Sequence, residues 1–101
     1  MRRDIFHAIA DPTRRAILVL LASQAMTPNA LAEHFHTTRQ AVSQHIKILA
    51  ECEAIGQRRD GREIYYHFNS SKMKEVDQWL ELIRINFEQS FSQLDELLPD
   101  L

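Results

Sequence analysis

Glycine and proline are scarce in this 101-residue chain, with two and three residues respectively, which disfavours a turn-rich all-β sandwich. There is one cysteine, so no internal disulfide can form, and the cytoplasm is the expected compartment. No stretch approaches the roughly 18 consecutive apolar residues that a membrane span needs, so no membrane partner is expected. The opening, Met1 to Asp11, has no apolar core followed by a small-residue cleavage site, so a secretory signal is not expected. A glycine-rich phosphate loop, a nucleophile elbow and a paired-histidine metalloprotease helix are all missing. Nothing in the sequence brings serine, histidine and aspartate together, so an enzyme is not expected, nor a cofactor. Internal repeats and low-complexity stretches are absent too.

What is present suits one soluble domain: 45% hydrophobic and 26% charged residues. The net charge of −2 hides a split. Residues 1–74 hold 11 basic and 7 acidic groups, whereas residues 75–101 hold one basic residue, Arg84, and 7 acidic ones. Such asymmetry points to separate surfaces, the front facing an anion and the back a protein or water.

Ile5, Phe6 and Ile9 suit a short first helix. Asp11 followed by Pro12 predicts a second helix, capped by the carboxylate, with proline where a missing N–H costs nothing. Its apolar set is Ala16, Ile17, Leu20 and Leu21, and it should end near Ser23. Thr27-Pro28 repeats the signal for a third helix carrying Ala30, Leu31 and Phe35. Thr37 with Gln40 fits a capping box at the start of a fourth. On a wheel of about 100° per residue, Arg39, Gln40, Ser43, Gln44 and Lys47 fill one arc. Ala41, Val42, His45, Ile46, Ile48 and Leu49 fill the other, and the polar arc carries no acid. Asp60-Gly61 then predicts a hairpin turn, with both residues at its centre. Ile64, Tyr66 and Phe68 share one face of its second strand, and Arg58, Arg59 and Arg62 crowd the tip.

From about Ser70 to Leu98 no breaker intervenes. Val76, Leu80, Ile83, Phe87, Phe91, Leu94 and Leu98 make an almost heptad-like seam, widened by Trp79 and Leu97. A helix of that length runs about 42 Å at 1.5 Å per residue, longer than a compact domain of about 70 residues is wide. It must overhang, and a second copy of the chain is the simplest cover for its stripe.

Two short helices, a polar-faced helix and an arginine-tipped hairpin make a winged helix-turn-helix, mainly α with a small β-hairpin wing. The polar helix suits the major groove of double-stranded DNA, where Arg39 can read guanine and Gln40 and Gln44 adenine. Ser43 and Thr38 can reach base or phosphate, and Lys47 phosphate. Arg58, Arg59 and Arg62 can position on adjacent phosphates or the minor groove. A closed capping box would compete with base reading by Gln40. Arg14 and Arg15 can either reach phosphates or form an Asp11–Arg15 pair. His45 is read as a half-buried packing residue. His34 and His36 point to different faces of a helix, so no metal site is expected. Cys52 lies between Glu51 and Glu53, acids that raise a thiol's pKa, so it is not expected to react.

Three motifs resemble one family. Ala10 to Arg15 followed by Ile17-Leu18, Ala41 to Leu49, and Arg58 to Arg62 with Tyr65-Tyr66 are similar in order and spacing to the ArsR (ArsR/SmtB) repressors. The resemblance runs from about residue 4 to the late sixties. It implies a homodimeric winged-helix regulator, commonly an autorepressor, paired through its first and last helices. The implied divisions of a single domain, 1–101, are an N-terminal dimerisation helix at 1–10, a DNA-binding core at 11–69 with its wing at 56–68, and a dimerisation helix at 70–98. The expected dimer contacts are Ile5, Phe6, Ile9, Trp79, Ile83, Phe87, Phe91 and Leu94. Ala54 stands where the family usually has a glycine, a departure that bears on the local chain reversal and not on the fold. Thr27 and Asn29 stand where the family's thiolate site has its Cys-x-Cys pair, and neither can be a thiolate ligand. No histidine follows His67, so the family's site on the last helix does not carry over either. The implied reading is an operator-binding repressor without the usual metal switch, its inducer unspecified. Two alternatives stand beside it: a protein-interaction module that has lost DNA binding, and a sensor with a metal, thiol or ligand site of its own.

Overall fold

The computed structural model describes residues 3–97, with side chains as far as residue 90. Its elements run α1 (Ile5–Ala8), α2 (Pro12–Ser23), α3 (Pro28–Ala32), α4 (Arg39–Glu51), β1 (Ile55–Asp60), β2 (Glu63–Phe68) and α5 (Ser70–Leu97). The caps explain most of these starts. The Asp11 carboxylate accepts from the Arg14 N–H at 3.0 Å, and Thr27 Oγ1 accepts from the Ala30 N–H at 3.2 Å. Pro12 and Pro28 each follow a cap, where the missing donor is harmless. α3 is shorter than its apolar pattern suggests, and Phe35 lies beyond it, half-buried.

The cap of α4 is Thr38, not Thr37. Its Oγ1 accepts from the Ala41 N–H at 3.0 Å. The third helical position is therefore alanine, no capping box closes, and Gln40 stands on the exposed face. Two adjacent threonines offer the same hydroxyl, and only the backbone phase distinguishes them.

Val42, Ile46 and Leu49 of α4 pack into a core with Ile17, Leu18 and Leu21 of α2, Leu31 of α3 and Ile55 of β1. Leu31 and Leu49 are fully enclosed, so truncating either to alanine costs about 2–5 kcal/mol by the usual cavity penalty. Ile5 and Ala8 of α1 enter the same core. That corrects one expectation: Ile5 is 1% exposed within its own chain and offers no surface to a partner, because a four-residue helix has only one face to bury.

α4 ends in a reversal that needs no glycine. The Ala54 N–H donates to Leu49 O and the Glu53 N–H to Ala50 O, each at 3.0 Å, the paired bonds of a Schellman motif. The left-handed residue is Glu53, with φ of 60°, not Ala54, which is buried. Asn69 braces the turn by donating from Nδ2 to Glu53 O and from its N–H to Ala54 O.

β1 and β2 pair antiparallel from Ile55 opposite Phe68 to Asp60 opposite Glu63. The two-residue turn is therefore Gly61-Arg62, one position later than expected. Gly61 alone has a positive φ there, 64°, the pattern of a type II′ turn with glycine at its first central position. Tyr66 and Phe68 pack on the core, while Ile64, nearer the tip, stays exposed. A backbone bridge from Met26 to Tyr66 ties the hairpin to the α2–α3 link.

α5 leaves the core almost at once. Val76 is buried, but Trp79, Leu80, Leu82, Ile83, Ile85 and Phe87 are all exposed. The chain measures 66 × 29 × 27 Å with a radius of gyration of 18.5 Å, against about 13 Å for a compact chain of this length. Trp79 of that run meets Phe6 of α1 in an edge-to-face contact, ring centres 5.5 Å apart. Phe91 and Leu94 lie outside the described side chains. No described helix is long and apolar enough to cross a membrane.

Two measurements follow from the caps. Replacing Glu53 by glycine relieves the left-handed strain and should stabilise the fold by up to about 1 kcal/mol, raising the thermal midpoint by a few degrees; a lower midpoint contradicts this. Asp11 is the second case. Partial burial opposes its ionisation, but the Arg14 N–H, the facing His45 and the Arg14 charge outweigh this and hold its carboxyl below the ordinary value. A lowered folded pKa gives stability that is complete above the unfolded value, about 3.9, and fades as pH falls through the folded one. Asp11→Asn should therefore be less stable than wild type near pH 6, with the gap closing towards pH 3 in denaturant titrations. A gap independent of pH would contradict the assignment.

Candidate nucleic-acid interface

Burying one edge of α4 turns the opposite edge outward. Arg39, Gln40, Ser43, Gln44 and Lys47 are all exposed and line one shallow depression. The Thr38 oxygen, engaged as the cap, sits at its head. The intermediate positions Ala41, His45 and Ile48 form the shoulders. A continuous cationic and amide strip of this width is what a major groove can accept. Near the far end Glu51 is the first acid, and Arg3 pairs with it at 3.3 Å.

The hairpin adds the second part. Ser43 and Lys47 share a groove with Tyr66 of β2, so the hairpin's base abuts the outward edge of α4. Arg58, Arg59 and Arg62 are exposed. The Arg58 guanidinium lies 5.9 Å from the centre of the Tyr65 ring, which limits its wandering. The Tyr65 hydroxyl donates to Glu63 Oε2 at 3.0 Å, and that hydrogen bond, with the Glu63 charge, pushes the phenol up. The tip thus sets three arginines against two acids, Asp60 and Glu63, which the count of arginines alone overlooks.

Arg14 is enclosed and so turned away from phosphate, and Arg15, which is exposed, donates to the end of α1 in place of the Asp11 pair. Arg14 is buried, with Nε on Ala8 O and Nη2 on His7 O, while Arg15 Nη1 donates to Ile9 O at 2.8 Å. Both arginines fasten the end of α1 to α2. His45 is half-buried as expected, its Nδ1 facing Arg14 and Asp11. His34 and His36 are exposed beyond α3. Cys52 is buried beside the α4 turn; burial, more than the Asp4 and Glu51 charges, pushes its thiol up, against the pull of Arg3 and Arg14. Among the described residues, no group of three or more His, Cys, Asp or Glu could hold a metal ion.

Known proteins place this geometry. Residues 9–55, from the end of α1 to the start of β1, match a model described as a helix-turn-helix domain. The chain is 40% identical over 77 residues to the transcriptional repressor SdpR of Bacillus subtilis, covering 76% of this chain and 86% of that one. It is similar to a solved ArsR-like transcriptional regulator from Rhodococcus sp. RHA1, with a TM-score of 0.74, 25% identity, and 96% and 92% of the two chains covered. A second solved regulator, described as of the ArsR family, gives a TM-score of 0.73 at 31% identity over 83% of this chain and 92% of that one. The two-stranded wing, the buried edge of α4 and these matches agree: the chain belongs to the ArsR-type helix-turn-helix transcriptional regulators, which bind DNA and are not enzymes.

Proposed function

We propose that two copies of the chain bind a palindromic operator and repress by occupying it, without a metal switch. The observation that carries this is the acid-free face of α4, wholly exposed while the opposite edge is buried. Arg39 reads guanine and Gln40 or Gln44 adenine; Ser43, Lys47 and the Thr38 hydroxyl contact base or phosphate. Arg58, Arg59 and Arg62 hold the flanking backbone. Segments 1–10 and 70–98 serve pairing, and 11–69 serve DNA. The exposed stripe of Trp79, Leu80, Ile83 and Phe87 supports a second copy, since an apolar run of this length in water needs cover. Phe6 meets it at Trp79, Ile9 lies with Met73 nearer the start of α5, and Phe91 and Leu94 continue it in sequence. Pairing would set the two α4 helices about one helical turn apart, so the operator has two similar half-sites. Thr27 supports the absence of a thiolate switch, because its hydroxyl is committed to capping α3. The cytoplasm is the compartment this role requires.

Binding measurements on a selected operator and on random duplex, at two salt concentrations, test the reading. Arg39→Ala should cost about 1–3 kcal/mol on the operator and relax choice at one position. Arg59→Ala should weaken every sequence alike and lower the salt slope by about 1. Equal losses on both duplexes from both substitutions would contradict these roles.

A further inference from the structure

Among the described residues Arg14 is the one buried charged side chain, 8% exposed. A guanidinium keeps its charge, so enclosing it is costly unless its donors are satisfied. Here they reach two elements. Nε donates to Ala8 O at 2.9 Å and Nη2 to His7 O at 3.0 Å, both carbonyls of α1. Nη1 crosses to α4 and faces His45 Nδ1 at 3.5 Å, the outer limit of a hydrogen bond. Asp11 Oδ2 stands 3.7 Å from the same nitrogen. His45 is therefore straddled by a cation and a carboxylate, both from the start of α2.

His45 lies midway along α4, next to Gln44 and two positions from Ser43. Apolar contacts alone fix the depth of a helix better than its roll, because dispersion is non-directional. A directional polar contact at one shoulder constrains the roll, and so the aim of Ser43 and Gln44. The other end of the link is α1, which carries Phe6 against Trp79 of α5. A second tie, Arg3 to Glu51, joins the segment before α1 to the last turn of α4.

We infer that Arg14 is a positioning residue for DNA recognition: acting through His45, it transmits the placement of α1 and α5 to the roll of α4. The inference rests on the DNA-binding reading above. In a paired protein the α5 helices set the distance between subunits, and this link sets how each α4 meets its groove.

The test uses the full chain and four variants, His45→Leu, His45→Gln, Arg14→Lys and the double Arg14→Lys/His45→Leu. The quantity read is operator affinity divided by random-duplex affinity, well below each melting midpoint. His45→Leu should lose about tenfold in this ratio, with its thermal midpoint lowered by no more than a few degrees, since leucine suits the apolar arc while Arg14 Nη1 loses its partner. His45→Gln should keep the ratio, because its amide oxygen can accept from Arg14. The double variant should lose no more than His45→Leu alone. A wild-type ratio in His45→Leu, or losses that add in the double variant, overturn the inference even if stability falls. If Arg14→Lys does not fold, the two His45 variants decide it. A wild type that prefers no duplex overturns the DNA reading itself, and this inference with it.

Discussion

The seating of Val42, Ile46 and Leu49 of α4 against α2, α3 and β1 is the contact on which the rest of the molecule depends. It fixes which half of the helix meets water. Because the hydrophobic gain is tied to three positions at helical spacing, a roll large enough to lift them from the core would expose apolar area worth about 25 cal/mol per Å², which leaves the finer aim to polar contacts. Arg39, Gln40, Ser43, Gln44 and Lys47 then have nowhere to point but outward. The caps at Asp11, Thr27 and Thr38 and the Schellman turn at Glu53 set where helices begin and end around that contact. The hairpin is held to the same core by Tyr66 and Phe68 and by the bridge to Met26.

The same economy explains α5. Val76 is the residue that α5 gives to the buried core, and the described apolar residues from Trp79 to Phe87 are exposed. What would be a defect in a monomer, a line of exposed tryptophan, leucine, isoleucine and phenylalanine, is an asset in a pair. The edge-to-face contact of Phe6 with Trp79 shows α1 already laid against that line.

Much of this was legible in the sequence, wherever one physical rule decided the outcome. Aspartate or threonine before proline predicts α2 and α3 because cap and proline act together. The acid-free arc of α4 and the unbroken run of α5 were visible because periodicity has no competitor there. The misses fall where two neighbours compete for one job. Thr37 and Thr38 offer the same hydroxyl, and Asp60-Gly61 and Gly61-Arg62 offer the same turn. The choice lies in backbone phase and strand register, which no local composition encodes. Ile5 was assigned to a partner because the depth of a short helix depends on tertiary packing alone. Arg14 carried a signal that charge obscured: it shares the spacing of Ile17, Leu18 and Leu21, the buried edge of α2. A cation in an apolar stripe marks a structural clamp, and its acceptors, carbonyls of α1, cannot be read from side-chain types.

The central claim is that two acid-free faces are presented together at the pitch of duplex DNA. Hydroxyl-radical footprinting of a selected operator tests it most directly. The account predicts two matching protected patches on one side of the duplex, with centres about 34–36 Å apart. One patch alone, or a pair on opposite sides of the duplex, would contradict it.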